Sequence, residues 1–595
     1  MKEPEVSALK KLLNVRMILL ITAIGSAHGQ VPTLPALPQQ TVNLTLPTQG
    51  TSTCPTLTTG TNCIRNVPAG DATSLQKAIN AATCGDTIVL AKGSTYIGNF
   101  TIPSTFCSGW IEIQSSAMGS LPAPGNRVGP SNVSNMATIS TPNTYAALAF
   151  LPSSNHWRLM GLEITTSYVS TTNTVFGLVT AGLQSDGSTV VSVVAQLPAY
   201  LIFDRIYIHG LSTTNTKRAI EMDTQSIGIV DSYCDEIHYN QNDSQCFASW
   251  NGVGPFLIQN NFIQAGAEDI MFGGADPAIA NLIPSDITVV GNIMQKNLTW
   301  RNESAPYNWV IKNIFELKSA QRVLIDGNVL QYIWLAGQTG FAIMLTPRSG
   351  GACAWCTVQD VTITHNLIRH VADGIEISGE NPGYPNLPTL PSARILVQNN
   401  VLDDVSSINW GGHGWVYEIA MESNELPPHD IIIDHNTSFP DTTNGAVYVL
   451  GNSGVAPNFQ ITNLLSVYGA YGIFGSGAGS GIPALSTYLT GYIYDKNAFI
   501  TSSGTSQGKY PSGTLWNTQT GVKFTDFAST NYQLLSISPY HNAGTDGKDI
   551  GMWDWTCLNN DSAAALAGKF IPGSGCALSA DLPLQPPSDL KAVVD

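Results

Sequence analysis

Five residues of this chain are of the types, and at the spacing, that acid, base or electrostatic chemistry needs: Glu316, Lys318, Arg348, Glu376 and Glu418. Two carboxyl groups held close together cannot both stay ionised, so such a pair divides into an acid and a base. A Lys or Arg beside them can withdraw a proton, supply one, or neutralise a negative group on a substrate. These residues sit in short segments of one kind: RAIEMD (218 to 223), EDIMFG (268 to 273), IFELKS (314 to 319), FAIMLT (341 to 346), DGIEIS (373 to 378), WVYEIA (415 to 420) and GAVYVL (445 to 450). If each is a strand, alternation sends Ile220, Ile270, Phe315, Ile343, Ile375, Tyr417 and Val447 inward. Glu221, Met271, Glu316, Met344, Glu376, Glu418 and Tyr448 then face out. Two positions further along lie Lys318, Thr346 and Ser378, and beyond them Arg348 and Glu380.

Such a column exists only if something stacks the strands. FLIQNNFIQ, ITVVGNIMQ, VLIDGNVLQ, VTITHNLIR, ILVQNNVLD and IIIDHNTSF each run a β-branched strand into an Asn, at Asn261, Asn292, Asn328, Asn366, Asn400 and Asn436. The intervals are 31, 36, 38, 34 and 36 residues. One interval is one coil of a solenoid, with Asn at a tight corner where its amide can bond its copies above and below. The expected fold is all-β, a single-stranded right-handed parallel β-helix. Its coils are about 4.8 Å apart, so Glu376 and Glu418 become neighbours and Glu316 lies about 9.6 Å from Glu376 at the backbone.

The column admits several readings. On a solvated sheet the charges would form a surface ion-pair network worth little. Walled by corner loops, the same face would be a groove for an extended polysaccharide, with some of Trp250, Trp300, Trp309, Trp334, Trp355, Trp410 and Trp415 stacking on sugars and others in the core. Elimination on a uronate-containing glycan, which the sequence places slightly ahead of hydrolysis, would use Lys318 or Arg348 as base and cation. Glycoside hydrolysis would use the carboxylates, with Glu376 and Glu418 spaced for retention and Glu316 with Glu376 approaching the range for inversion. A non-catalytic carbohydrate-binding or adhesive surface protein is the remaining alternative. Glu268, Asp269 and Asp276 around the turn FGGADP are candidate calcium ligands. His365 and His435 precede ladder Asn residues, where stacking is the simplest reason for them.

Composition narrows the partners. The 595 residues carry a formal net charge of −16, which argues against nucleic acid. Lys10, Lys11 and Arg16 precede the apolar run Met17 to Ala23, and Ala27-His28-Gly29 suits a signal peptidase, so residues 1–29 are expected to be a leader and the protein secreted, extracellular, periplasmic or at the cell surface. No other run approaches the roughly 18 to 20 apolar residues a membrane span needs. The ten cysteines suit an oxidising compartment, and eight form sequence-local pairs, Cys54/Cys63, Cys84/Cys107, Cys234/Cys246 and Cys557/Cys576. Cys353 and Cys356 form a lone C-x-x-C, read as a disulfide or an inert turn.

Along the chain, residues 30–66 are rich in Pro and Thr and suit a linker or an irregular arm on the first coil. A short amphipathic helix with Leu75, Ala78, Ile79 and Ala82 on one face would plug the stack. Residues 67–500 are the coils, 501–585 a C-terminal cap region, and 586–595 a tail.

LQKAINAATCGDTIVL, the Asn-ended strands and the ending NAGTDGKDIG together resemble the pectin lyase-like superfamily of right-handed parallel β-helices, over about residues 67 to 555. The superfamily includes lyases, hydrolases and adhesins, so the resemblance implies the fold and leaves activity open. Within it, FELKSAQRVLIDGNVL followed by GFAIMLTPRSGG is similar to the arrangement in alginate lyases and chondroitinase B. That resemblance implies Glu316 as a calcium ligand, Lys318 as base, and Arg348 as acid or carboxylate clamp. Arg348, however, lies two positions further along its strand than Lys318 does. Gly412-His413-Gly414 resembles the Gly-His-Gly of polygalacturonases, but no Arg follows Arg394 to supply their later Arg-x-Lys.

Overall fold

The computed structural model describes residues 31–45, 48–182, 191–381, 387–420, 426–451, 454–501 and 507–570. The expected leader, the tail and Cys576 lie outside the described residues. Each coil delivers one strand to each of three long parallel sheets. One sheet of fourteen strands runs from Ile64–Val67 to Ile493–Asp495, a second of fourteen from Thr95–Ile97 to Leu515–Asn517, and a third of twelve from Phe100–Ile102 to Ile473–Gly475. The fold is a right-handed parallel β-helix. Ile, Val, Leu and Phe from all three sheets fill one continuous core.

The Asn residues form the expected ladder. Backbone N–H groups of Asn261, Asn292, Asn328, Asn366 and Asn400 each donate to the side-chain oxygen of the Asn one coil on, at 2.8 to 3.0 Å. Left-handed backbone falls elsewhere than the spacing suggested: it is on the residue before the ladder, Asn260, Gly291, Gly327, His365, Asn399 and His435. The ladder Asn is thereby free to keep both faces of its amide for its neighbours.

A second column explains the Pro/Thr-rich arm. Asp286, Arg322, Asp360, Arg394 and Asp430 are in register, all with positive φ that turns their side chains out of the helix. Arg322 binds Asp286 and Arg394 binds Asp360, each through two bonds. Along this column lies the segment Val31 to Gln39. The N–H groups of Thr33, Ala36 and Gln39 donate to Asp430, Asp360 and Asp286 at 2.8, 3.1 and 2.7 Å. Three residues of polyproline II advance about 9.3 Å, close to two coils at about 9.6 Å, so a Pro32-x-x-Pro35-x-x-Pro38 rhythm meets every second coil. Val42 then packs on Val230, Leu257 and Val290. The arm is therefore a strap across many coils and not an appendage of the first.

The helix Ala72–Ala81 caps the start of the stack, with Asp71 accepting from Ser74 N–H and Leu75, Ala78 and Ile79 buried. At the other end the chain turns back along the Asn corner. Asp546 pairs with His435 at 3.3 Å, Asp554 approaches His365 at 3.7 Å, and Ala565 of the helix Trp555–Ala567 packs on Ile293 and Val329. These two histidines thus serve as docking points for the C-terminal segment, a role their stacking positions did not suggest. Disulfides join Cys54 to Cys63, Cys84 to Cys107, Cys234 to Cys246 and Cys353 to Cys356, and Cys557 is also disulfide-bonded. Such bonds fit an oxidising environment. No helix among the described residues is long and apolar enough to cross a membrane.

Candidate active site

The twelve-stranded sheet carries the column. Phe315 and Leu317 are fully buried in the core, so the strand between them presents Glu316 to the outer face. Register places Met271 beside Glu316, Glu316 beside Met344, Met344 beside Glu376 and Glu376 beside Glu418. Glu316, Glu376 and Glu418 therefore share one wall, in the expected order. Two details differ. The strand Gln245–Ser249 inserts Ala248 between Glu221 and Met271, a coil that the sequence alignment passed over. Beyond Glu418 the column continues to Val449, while Tyr448 lies inward and stacks on Tyr417 at 5.0 Å. Gly445 belongs to the turn before that strand, its N–H bonded to Asp441 O, which moves the register by one.

The wall is not a solvated surface. Glu316 is only 1% exposed, because loops on both sides of the sheet rise around it into a cleft of about 560 Å³. Glu316, Lys318, Arg348 and Glu376 line this cleft together with Asp243 and Lys312. Lys318 Nζ lies 3.2 Å from Glu316 Oε1, and Lys312 Nζ lies 2.6 Å from Asp243 Oδ1. Glu316 Oε2 is buried without a protein partner. Glu418 follows Glu376 along the wall but lies outside the cleft lining. Asp243 and Lys312 come from irregular segments between strands, where no periodicity marks them, so the sequence reading missed both.

Burial pushes the Glu376 carboxyl up to about 7; the Ser378 hydroxyl, donating at 2.7 Å, opposes this, and repulsion from Glu316 and Asp373 adds to it. Burial, then repulsion from Glu376, pushes Glu418 up to about 8. Burial and Glu316 push Glu268 up to about 8 as well. For Lys318 burial works against the charge, yet the carboxylates of Glu316, Glu268 and Asp243 outweigh it and hold the ammonium above its ordinary range. The cleft thus contains a carboxyl group poised near neutrality and a lysine kept charged.

The expected calcium ligands are not brought together. Asp269 accepts from Lys296 Nζ at 3.0 Å and from Ala265 N–H, both buried. Asp276 accepts from the N–H groups of Gly350 and Ala352 and so pins one corner loop to another. Glu268 accepts from Gln245 at 2.7 Å. Beside Glu316 the cation position is filled by the Lys318 ammonium. Among the described residues, the two clusters with metal-ligand spacing are Cys54, Cys63 and Asp86, and His365, Asp554 and Cys557; both contain disulfide cysteines and neither includes a residue of the cleft. The donor set does not fit calcium.

Of the tryptophans, none lines the cleft. Trp300 and Trp309 pack on His238 in the core, Trp334 is buried, Trp355 donates to Leu282 O, and Trp410 sits with Tyr332 and His370. Trp415, stacked on His413 at 3.9 Å, and Trp250 lie toward opposite ends of the sheet. His413 and its flanking glycines close around Asp373, whose carboxylate accepts from His413 and Trp415 N–H.

No protein-family model matches the chain, and no curated protein sequence matches it. Solved structures do. An alginate lyase from Paenibacillus sp. str. FPU-7 aligns at 14% identity over 72% of this chain and 97% of its own, with a TM-score of 0.28. A mannuronic acid specific polysaccharide family 6 lyase from human gut microbiota aligns at 12% over 84% and 98%, with a TM-score of 0.37. The Dettilon tailspike protein aligns at 12% over 76% and 68%, with a TM-score of 0.35.

Proposed function

We propose that this protein acts on an extended polysaccharide laid along the Glu316 wall and cleaves it by hydrolysis. The observation that carries this reading is the pairing of two carboxyl groups in one cleft with opposite environments. Glu316 pairs with the Lys318 ammonium at 3.2 Å, while burial pushes Glu376 up to about 7. In that division Glu376 gives its proton to the glycosidic oxygen and Glu316 takes one from water. With one coil between them, their backbones are about 9.6 Å apart. A backbone separation of that size approaches the range in which a water fits between two carboxyl groups, the arrangement that leads to inversion. Repulsion from Glu316 and Asp373 adds to the burial that favours a protonated Glu376, and Arg348 lines the cleft as a cation for an acidic substituent.

Elimination is the second reading, favoured by one contact: Arg348 N–H donates to Lys318 O, so two cations lie side by side in the cleft where a uronate carboxylate would be neutralised. Against it stands the charge on Lys318, since a base must first lose its proton. Incubation with alginate, pectate, chondroitin and neutral glycans, followed by reducing-end and 235 nm measurements, separates the readings. Reducing ends without absorbance, abolished by Glu376→Gln, support hydrolysis; absorbance abolished by Lys318→Ala supports elimination; binding without either product leaves a carbohydrate-holding protein.

A further inference from the structure

Three coils before Glu316 the same sheet carries a second charged cluster. Arg218 Cζ lies 5.2 Å from the Phe176 ring and 4.8 Å from the Trp250 ring, and Lys217 Nζ lies 5.2 Å from Phe176. The Arg218 side chain is 10% exposed, yet its Nε and Nη1 have no hydrogen-bond partner. A buried guanidinium is costly unless an anion is bonded to it. The acids nearby do not fill that role. Glu221 Oε2 is 4.0 Å away, beyond hydrogen-bonding distance, and burial, then repulsion from Asp223, pushes its carboxyl well above its ordinary range. Asp223 spends one oxygen on Ser249, Trp250 N–H and Asn251 N–H. Asp243 is paired with Lys312. Phe176 is 45% exposed, a flat apolar face beside two cations.

We infer that Arg218 and Lys217, framed by Phe176 and Trp250, form an anion subsite for the carboxylate or sulfate of an acidic sugar whose ring rests on Phe176. The inference rests on the reading of this face as a glycan groove and adds to it the substrate class: the polymer is acidic. Register through Ala248 and Met271 places Glu221, beside this cluster, about 14 Å from Glu316 along the column, a separation that an oligosaccharide of several sugars spans. The aromatic pair keeps the guanidinium oriented, with Nε and Nη1 turned inward, and leaves its exposed edge and the Lys217 ammonium for the ligand. This places a specificity element well away from the carboxyl pair.

Calorimetric titration of the Glu376→Gln protein tests it, with hexasaccharides of galacturonate, mannuronate, chondroitin sulfate and neutral xylan. An acidic hexasaccharide binds, its affinity falls as salt is raised, and Phe176→Ala and Lys217→Ala each weaken it about five- to tenfold. Uronates and chondroitin sulfate separate a carboxylate site from one that needs sulfate. Both side chains face solvent, so these variants fold even if Arg218→Gln does not. Unchanged affinity for the acidic ligand in both variants overturns the inference, as does binding of the neutral hexasaccharide alone, and in either case the groove stands. No binding of any hexasaccharide overturns the groove as well.

Discussion

Lys318 Nζ and Glu316 Oε1 are 3.2 Å apart in the cleft, and both side chains are largely buried. The carboxylates around Lys318 hold a lysine that sequence spacing offers as a base in its charged form. Replacing Lys318 by Met keeps the bulk and removes the charge. Hydrolysis is expected to fall about a hundredfold without being abolished, because Lys318 stabilises charge and does not carry the proton. Initial rates of reducing-end release measure it.

The raised carboxyl groups set a pH dependence. Glu376 must be protonated to act as acid, so activity declines as pH rises through about 7. The same groups act on stability. Their folded-state values, about 7 for Glu376 and about 8 for Glu418 and Glu268, exceed those of the unfolded chain. The unfolded state therefore binds fewer protons over that interval, and stability present below the ordinary glutamate range is lost as pH rises through about 8. Thermal unfolding scans from pH 4.5 to 8 are expected to show a falling Tm, flatter in Glu418→Gln.

Asn366 stands in mid-ladder. Its side chain accepts from Asn328 and donates to Ile325 O, Thr364 O and Asn400 Oδ1, all at 2.9 to 3.0 Å. Asn366→Ala strands several buried polar groups at once, at a cost of about 3 to 5 kcal/mol. Denaturant titration should show a lower midpoint with little change in slope.

The coils and the acid column were legible because both depend on a period, and stacking makes every coil report the same position. Glu316, Glu376 and Glu418 fell into one row for that reason. Reading failed where the period breaks. Gly445 in a turn moved Tyr448 by one residue, the strand Gln245–Ser249 carried no outward charge to reveal it, and Asp243 and Lys312 stand on irregular connections. The Asp–Arg column was hidden too, since alternation does not foresee a left-handed residue repeated at Asp286, Arg322, Asp360, Arg394 and Asp430. Nor does the Pro-x-x-Pro rhythm of the arm, by itself, name the surface it will meet.

The strap offers its own test. Ala36→Pro removes the N–H that Asp360 accepts at 3.1 Å and leaves every coil intact. Cleavage within residues 31–45 by a dilute protease is expected to quicken severalfold, while the midpoint of global unfolding moves by about 1 kcal/mol or less.

The division of roles between Glu316 and Glu376 is tested most directly by following the anomeric proton of freshly released reducing ends by NMR, with whichever glycan is cleaved. The account predicts a saturated product that first appears with inverted configuration and is absent with Glu376→Gln. An unsaturated product absorbing near 235 nm, formed at an undiminished rate by Glu376→Gln, would contradict it.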